Sequence, residues 1–253
     1  MLADTWYLFN KYVKITIRMP MWTLFTLVQP LIWLVIFAQL FKNITQLPGF
    51  PSDSYIDFFV PGVLIMTVLF GSAWSGVSLL REIQSGTVDK MLASPVSRIA
   101  IVMSRVFHST AQVIVQVAIM LAVAWMMGAN IIINPVNIFL AMLVVVLLGL
   151  CFAAVSNGLA IALQREEPLV MIGNLMTLPL MFFSTALVPT NFMPAWIKYI
   201  STINPINYAV EAVRTVLVGT SNFTDYGIAA LILALFTTAA LWWAVSAFSA
   251  LRH

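Results

Sequence analysis

Arg81-Glu82-Ile83-Gln84-Ser85-Gly86-Thr87-Val88-Asp89-Lys90-Met91-Leu92-Ala93-Ser94-Pro95-Val96-Ser97-Arg98 is a charged island in a chain otherwise almost free of charge. Extended to Arg105, it holds four of the twelve basic residues, and long uncharged runs flank it on both sides. Val88, Met91 and Leu92 recur at helical spacing. Ser85 and Gly86 can start a helix there, and Pro95 can stop it. The stretch predicts an amphipathic helix of one to two turns on the charged side of a membrane protein. Such a knob suits docking of a soluble partner better than chemistry of its own.

The rest of the chain supports the membrane reading. It is 62% hydrophobic and only 8% charged, where a soluble domain carries roughly 25% charged residues. A spanning helix needs about twenty apolar residues, and uncharged runs of at least that length cover residues 19–41, 58–80, 106–164, 169–197 and 226–251. The third run is too long for one span and breaks at Gly128-Ala129-Asn130 and Asn134-Pro135, which are turn formers. The expected architecture is therefore all-α, with six spans at 21–41, 58–80, 106–127, 138–163, 169–187 and 226–248. The first apolar run starts only after Arg18 and is too long for a signal core, so no cleavable signal peptide is expected.

Orientation follows from Lys and Arg in the loops. Lys11, Lys14, Arg18, Arg81, Lys90, Arg98, Arg105, Arg165 and Arg252 fall on one side of the expected topology; Lys42, Lys198 and Arg214 fall on the other. Nine against three places both termini and the 81–105 loop in the cytoplasm. Residues 1–18 read as a helix lying in the interface: Leu2, Trp6, Phe9, Val13 and Ile17 share one face, and Lys11, Lys14 and Arg18 another.

Residues 189–219 are apolar yet broken by Pro189, Pro194 and Asn204-Pro205. Two helices are expected there, at 195–202 and 206–218, each too short or interrupted to cross. Glu211 and Arg214 lie i, i+3 and can pair. Interrupted helices at membrane depth survive when buried by protein or lining a cavity, so the segment reads as a re-entrant outer hairpin. Gly71, Ser72, Ser75 and Gly76 offer small residues for close helix contact. His108, Gln112 and Gln116 form an i, i+4, i+8 polar stripe that either lines a path or bonds neighbouring helices.

Several chemistries are not expected. There is no GxxxxGK[ST] loop and no Gly-Lys dipeptide, so ATP binding by that route is not expected. No His/Cys/acid set has metal-ligand spacing. No acidic residue sits mid-span, as proton or cation antiport usually requires. The net charge of +3 is not a nucleic-acid signal, and the lone Cys151 leaves no disulfide framework.

Three features together resemble the ABC-2-type permease family, the membrane subunits of ATP-driven exporters. A basic amphipathic N-terminus precedes six spans. The loop Arg81-Glu82-x3-Gly86-Thr87-x2-Lys90-x-Leu92-x-Ser94-Pro95-x2-Arg98 follows the second span. The element Asn204-Pro205-x2-Tyr208-x2-Glu211-x2-Arg214 precedes the last. Pro61-Gly62 and the Gly-Thr-x2-Lys loop resemble the drug-resistance, daunorubicin-type branch most.

The resemblance implies a dimer of permeases bound to two separate ATPase subunits, with ATP and magnesium held in the ATPase and no cofactor in this chain. The family's coupling helix would fall on Thr87 to Leu92, with Glu82, Gly86, Lys90, Met91 and Arg98 as part of the contact. The outer gate would carry Asn204, Pro205, Tyr208, Glu211 and Arg214. A path at the dimer axis would be lined partly by Asn174, Thr177, Phe182, Phe183 and Thr185. The expected role is export of a hydrophobic or amphipathic molecule such as a drug, an antibiotic or a lipid, across the cell membrane. Export of a polysaccharide or lipo-oligosaccharide is an alternative, as is a non-transport anchor whose charged island recruits a partner.

Overall fold

The structure is a computed structural model that describes residues 2–18, 20–52, 54–93, 96–132, 134–219 and 223–249. The expected stop at Pro95, the side chain of Leu2 and the C-terminal Arg252 lie outside the described residues. Among those residues every regular element is helical. The order is α1 (Leu2–Arg18), α2 (Pro20–Leu40), α3 (Tyr55–Gln84), α4 (Thr87–Leu92), α5 (Arg98–Met126), α6 (Pro135–Leu163), α7 (Glu166–Phe182), α8 (Ala195–Ser201), α9 (Pro205–Val218) and α10 (Phe223–Ser249). One-turn 3₁₀ segments lie at Lys42–Gln46 and Thr190–Phe192.

Among the described residues four helices are long and apolar enough to cross a membrane: α3, α5, α6 and α10. The apolar part of α2, Phe25–Leu40, is shorter, and α7 has 17 residues. α3 is the most enclosed of the four long helices and packs against α2, α5, α6, α7 and α9. One large apolar cluster joins Phe59, Leu64, Met66, Met120, Leu148 and Val213 from α3, α5, α6 and α9.

Local chemistry sets the helix ends. Gly86 takes a left-handed conformation (φ 66°) immediately before α4, a turn that glycine makes at no steric cost. Ser97 caps α5 by accepting from the Ala100 N–H at 3.2 Å, and Asn134 caps α6 by accepting from Val136 at 3.1 Å, with Pro135 at the first helical position. Helix bounds exceed several of the expected spans. α3 runs past Leu80 to Gln84 and α5 begins at Arg98 rather than near Arg105, because charged residues at helix ends extend the helix beyond its apolar stretch. α7 runs from Glu166 to Phe182 where 169–187 was expected. Glu166 and Glu167 occupy its first turn, where acids suit the helix dipole, and Asn204 closes its other end.

Close approach of α3 and α6 depends on small residues. A Cβ built on Gly76 would overlap the backbone carbonyl of Ser156. The Ser156 hydroxyl accepts from the Gly76 N–H at 3.0 Å and donates to the Ala73 carbonyl at 2.6 Å. The Asn157 amide donates to Ser75 Oγ at 2.9 Å. The small-residue seam expected in α3 is therefore a polar helix–helix contact as well as a steric notch.

Two ends of the bundle can be told apart. Arg81 of α3 meets Glu166 of α7, placing the 81–105 and 164–168 connections at one end. Asp57 of α3 accepts from the Asn130 backbone at 2.8 Å, and Ile132 donates to Leu217 at 2.8 Å, placing the α5–α6 turn and the end of α9 at the other.

Candidate functional site

At the end bearing the 81–105 segment, α4 lies against the body of the protein. Val88 is buried, and Met91 and Leu92 pack beside it onto the cluster of Leu79, Ile101, Val102 and Val106. Val88 thus turns into this chain's own core, while Met91 and Leu92 are only partly covered by it. Among the described residues, α4 and its flanks expose Gln84, Ser85, Asp89, Lys90, Ala93 and Arg98, together with the apolar Ile99. The Ser85 and Thr87 hydroxyls meet at 2.9 Å across the Gly86 turn.

One turn before α4, Glu82 joins three helices. It forms an ion pair with Arg105 of α5 and accepts from the Tyr12 hydroxyl of α1 at 3.1 Å. Arg105 is 4% exposed, stacks over the Tyr12 ring at 4.7 Å and donates to Ser78 Oγ at 3.3 Å. Burial, partly offset by Arg105, pushes the Tyr12 hydroxyl up to about 12. The neighbouring Arg81–Glu166 pair is exposed, and its hydrogen bond holds the Glu166 carboxyl below the usual carboxylate range.

Above this ion pair a cavity of about 560 Å³ opens between α1, α2, α3 and α5. Its polar wall includes Glu82, Arg105, His108, Ser109 and Gln112; Ile15 and Trp74 bring apolar surface. The polar stripe of α5 bonds two neighbouring helices and faces the cavity. His108 meets Thr16 of α1 at 2.8 Å and Gln116 donates to Thr26 of α2 at 2.6 Å, while His108 and Gln112 also line the cavity.

At the opposite end, Asn204 fixes the hairpin. Its Oδ1 accepts from Ile206 N at 2.9 Å, capping α9, and its amide donates to the carbonyls of Leu180 and Phe183 at 2.6 and 2.9 Å. Pro205 occupies the first position of α9, where its missing donor costs nothing. Tyr208 donates to the Thr202 carbonyl at 2.7 Å. Arg214 is buried; it pairs with Glu211 at 2.6 Å, donates to the Thr185 carbonyl at 2.8 Å and lies 4.1 Å over the Phe58 ring. Thr185 Oγ1 is 2.5 Å from Glu211 Oε1 and 2.9 Å from Asn207 Oδ1.

The five expected path residues do not come together. Thr185 belongs to the Glu211–Arg214 cluster, Phe183 packs edge-on against Trp196, Thr177 is buried, and Asn174 and Phe182 are exposed. None of the five lines the cavity between α1, α2, α3 and α5. Sequence reasoning missed Tyr12, Ser78 and Arg105 as one group, since 70 residues separate Tyr12 from Glu82. The signal available was Arg105, set seven residues inside α5, after which the helix carries no further Lys, Arg, Asp or Glu.

A membrane-crossing bundle with a short helix seated at one end and an Asn-Pro-started helix at the other matches a family model across residues 3–218, that of the ABC-2 type transporter. The chain belongs to the ABC-2 type transporter family. This ABC-2 permease is a multi-pass membrane protein and a transport membrane subunit. It is 31% identical over 199 residues to ycf38 of Cyanophora paradoxa, named as a transport permease, covering 78% of this chain and 68% of that one. It is 25% identical over 199 residues to the daunorubicin resistance ABC transporter permease protein DrrB1 of Streptomyces coeruleorubidus, covering 79% and 69%. The doxorubicin resistance permease protein DrrC of Mycobacterium tuberculosis is 26% identical over 194 residues, covering 76% and 69%.

Proposed function

We propose that this permease exports a hydrophobic or amphipathic molecule, driven by ATP hydrolysed with magnesium on a separate ATPase subunit. The observation that carries the reading is α4: a short helix pinned to the body by Val88, Met91 and Leu92, with Asp89 and Lys90 turned outward. A lever seated this way transmits a push from a docked ATPase into α3 and α5, because Glu82 and Arg105 link those helices directly. The Gly86–Arg98 segment is then the coupling element, with Thr87, Asp89 and Lys90 rather than Met91 and Leu92 at the contact. Relatives named for daunorubicin and doxorubicin resistance support an amphipathic cargo.

In this reading α2 and α7 complete six crossings, both termini face the cytoplasm of the cell membrane, and α8–α9 form the re-entrant outer gate. Nine of the twelve basic residues then lie inside. A second copy completes the pathway along the exposed apolar faces of α2 and α7, where Phe25, Leu40, Met171 and Leu175 are each more than 60% exposed. Membrane lipid covers the remainder. The test is reconstitution of the permease with its ATPase in vesicles containing fluorescent amphiphiles, one cationic and one anionic in separate preparations. ATP-dependent clearance that needs both subunits supports the reading; clearance by either subunit alone, or none with both present, overturns it.

A further inference from the structure

The cavity between α1, α2, α3 and α5 has a buried charged part and an exposed apolar part. Arg105 is buried and Glu82 half-buried, with His108 and Ser109 also on the wall, while Ile15 and Trp74 are 46% and 41% exposed. Its volume of about 560 Å³ falls within the range of ligand sites, about 300–1,000 Å³. From this sorting we infer that the cavity holds the headgroup of an anionic amphiphile, a phosphate or carboxylate on an alkyl tail, with the tail leaving past Ile15 and Trp74. The inference deepens the export reading and rests on its placing this end of the bundle at a membrane surface.

Four features favour an anion. Arg105 Nε is buried without a hydrogen-bond partner among the described residues, and an orphan donor of this kind favours a nearby acceptor. Arg81, also on the cavity wall, is 57% exposed, and its pairing with Glu166 is an exposed ion pair that a ligand can replace at little cost. Ile15 is bracketed on α1 by Lys11 at i−4 and Arg18 at i+3, which share its side of the helix. Ser78 and Ser109 add hydroxyls on the walls. Glu82 is the acid on the cavity wall, and it is already held by Arg105 and Tyr12.

Two sources present this chemistry: an anionic phospholipid of the surrounding leaflet, or a single-tailed anionic amphiphile in transit. The experiment uses the full chain, purified and delipidated, then exposed separately to phosphatidylglycerol, phosphatidylcholine and dodecyl phosphate, with retained molecules counted by native mass spectrometry. Phosphatidylglycerol should be retained several-fold over phosphatidylcholine. That preference should fall to near parity in Ile15→Glu, which puts a negative charge at the mouth, and in Arg81→Gln. Both sites are exposed enough to be replaced without unfolding the chain. Displacement of phosphatidylglycerol by dodecyl phosphate assigns the site to single-tailed cargo; retention against it assigns the site to membrane lipid.

Equal retention of the two phospholipids by the natural chain, or a preference unchanged in both variants, overturns the inference. Neither readout uses the ATPase. A failure here with ATP-driven export intact therefore leaves the export reading standing, and the reverse result leaves the site standing.

Discussion

Arg105 of α5 reaches across to Glu82 of α3 and forms an ion pair with it while lying 96% out of solvent, one turn before the connection into α4. Tyr12 closes the contact by stacking on the guanidinium and donating to the carboxylate. A buried cation of this kind is held by its partners rather than by water. Glu82→Gln should therefore be the worst change at this site, costing about 3–5 kcal/mol, since it leaves Arg105 unpaired. The double change with Arg105→Gln should recover part of that loss. Apparent melting temperatures of the purified permease decide; equal shifts in the single and double variants would make the pair energetically idle.

Tyr12 gives the same contact a pH signature. Its hydroxyl titrates at about 12 in the folded chain against about 10 when exposed. The unfolded chain therefore sheds this proton first, and stability should fall as pH rises between those values. Below about pH 10 the contribution is fully present. Tyr12→Phe should flatten that part of the pH–stability curve. An unchanged slope in the variant would show that Tyr12 ionises freely.

The α3–α6 seam makes a steric prediction. Gly76→Ala drives a methyl group into the Ser156 backbone and should cost about 1–3 kcal/mol. Gly173→Ala, with no heavy atom within 4 Å of the new carbon, should gain about 0.5–1 kcal/mol by stiffening α7. Thermal melting of both variants checks this, and an inverted order would contradict the packing.

In α9 Arg214 is buried and Glu211 is half-exposed. Glu211→Gln should impair export more than Glu211→Gln combined with Arg214→Gln, because the single change strands the guanidinium. Thr185→Val should weaken export less, since Asn207 and Arg214 still hold Glu211's neighbourhood. Normal efflux in all of these variants would remove the cluster from the gate.

What was legible in the sequence was punctuation. Gly86, Asn134-Pro135 and Asn204-Pro205 each begin a helix where local chemistry demands one, and each is read from adjacent residues. The long apolar helices were legible too; that α3 and α5 continue through Arg81, Glu82 and Arg98 was not, because charged residues beyond an apolar run look like loop residues. The direction in which α4 presents its faces was not legible. Periodicity gives Val88, Met91 and Leu92 a common side but cannot say whether that side meets a partner or Leu79 and Ile101 of the same chain. The Tyr12–Glu82–Arg105 group was hidden for a related reason: its members come from three helices far apart in sequence, and only packing unites them.

The central claim is that α4 is the point through which a separate ATPase engages this permease. Its most direct test is to copurify the ATPase with the permease carrying Asp89→Lys and Lys90→Glu together. Both side chains are exposed, so the swap leaves the fold and the melting temperature of the permease unchanged. The account predicts loss of the ATPase from a permease that is still folded. Retention of the ATPase, with ATP hydrolysis still responding to the permease, would contradict it.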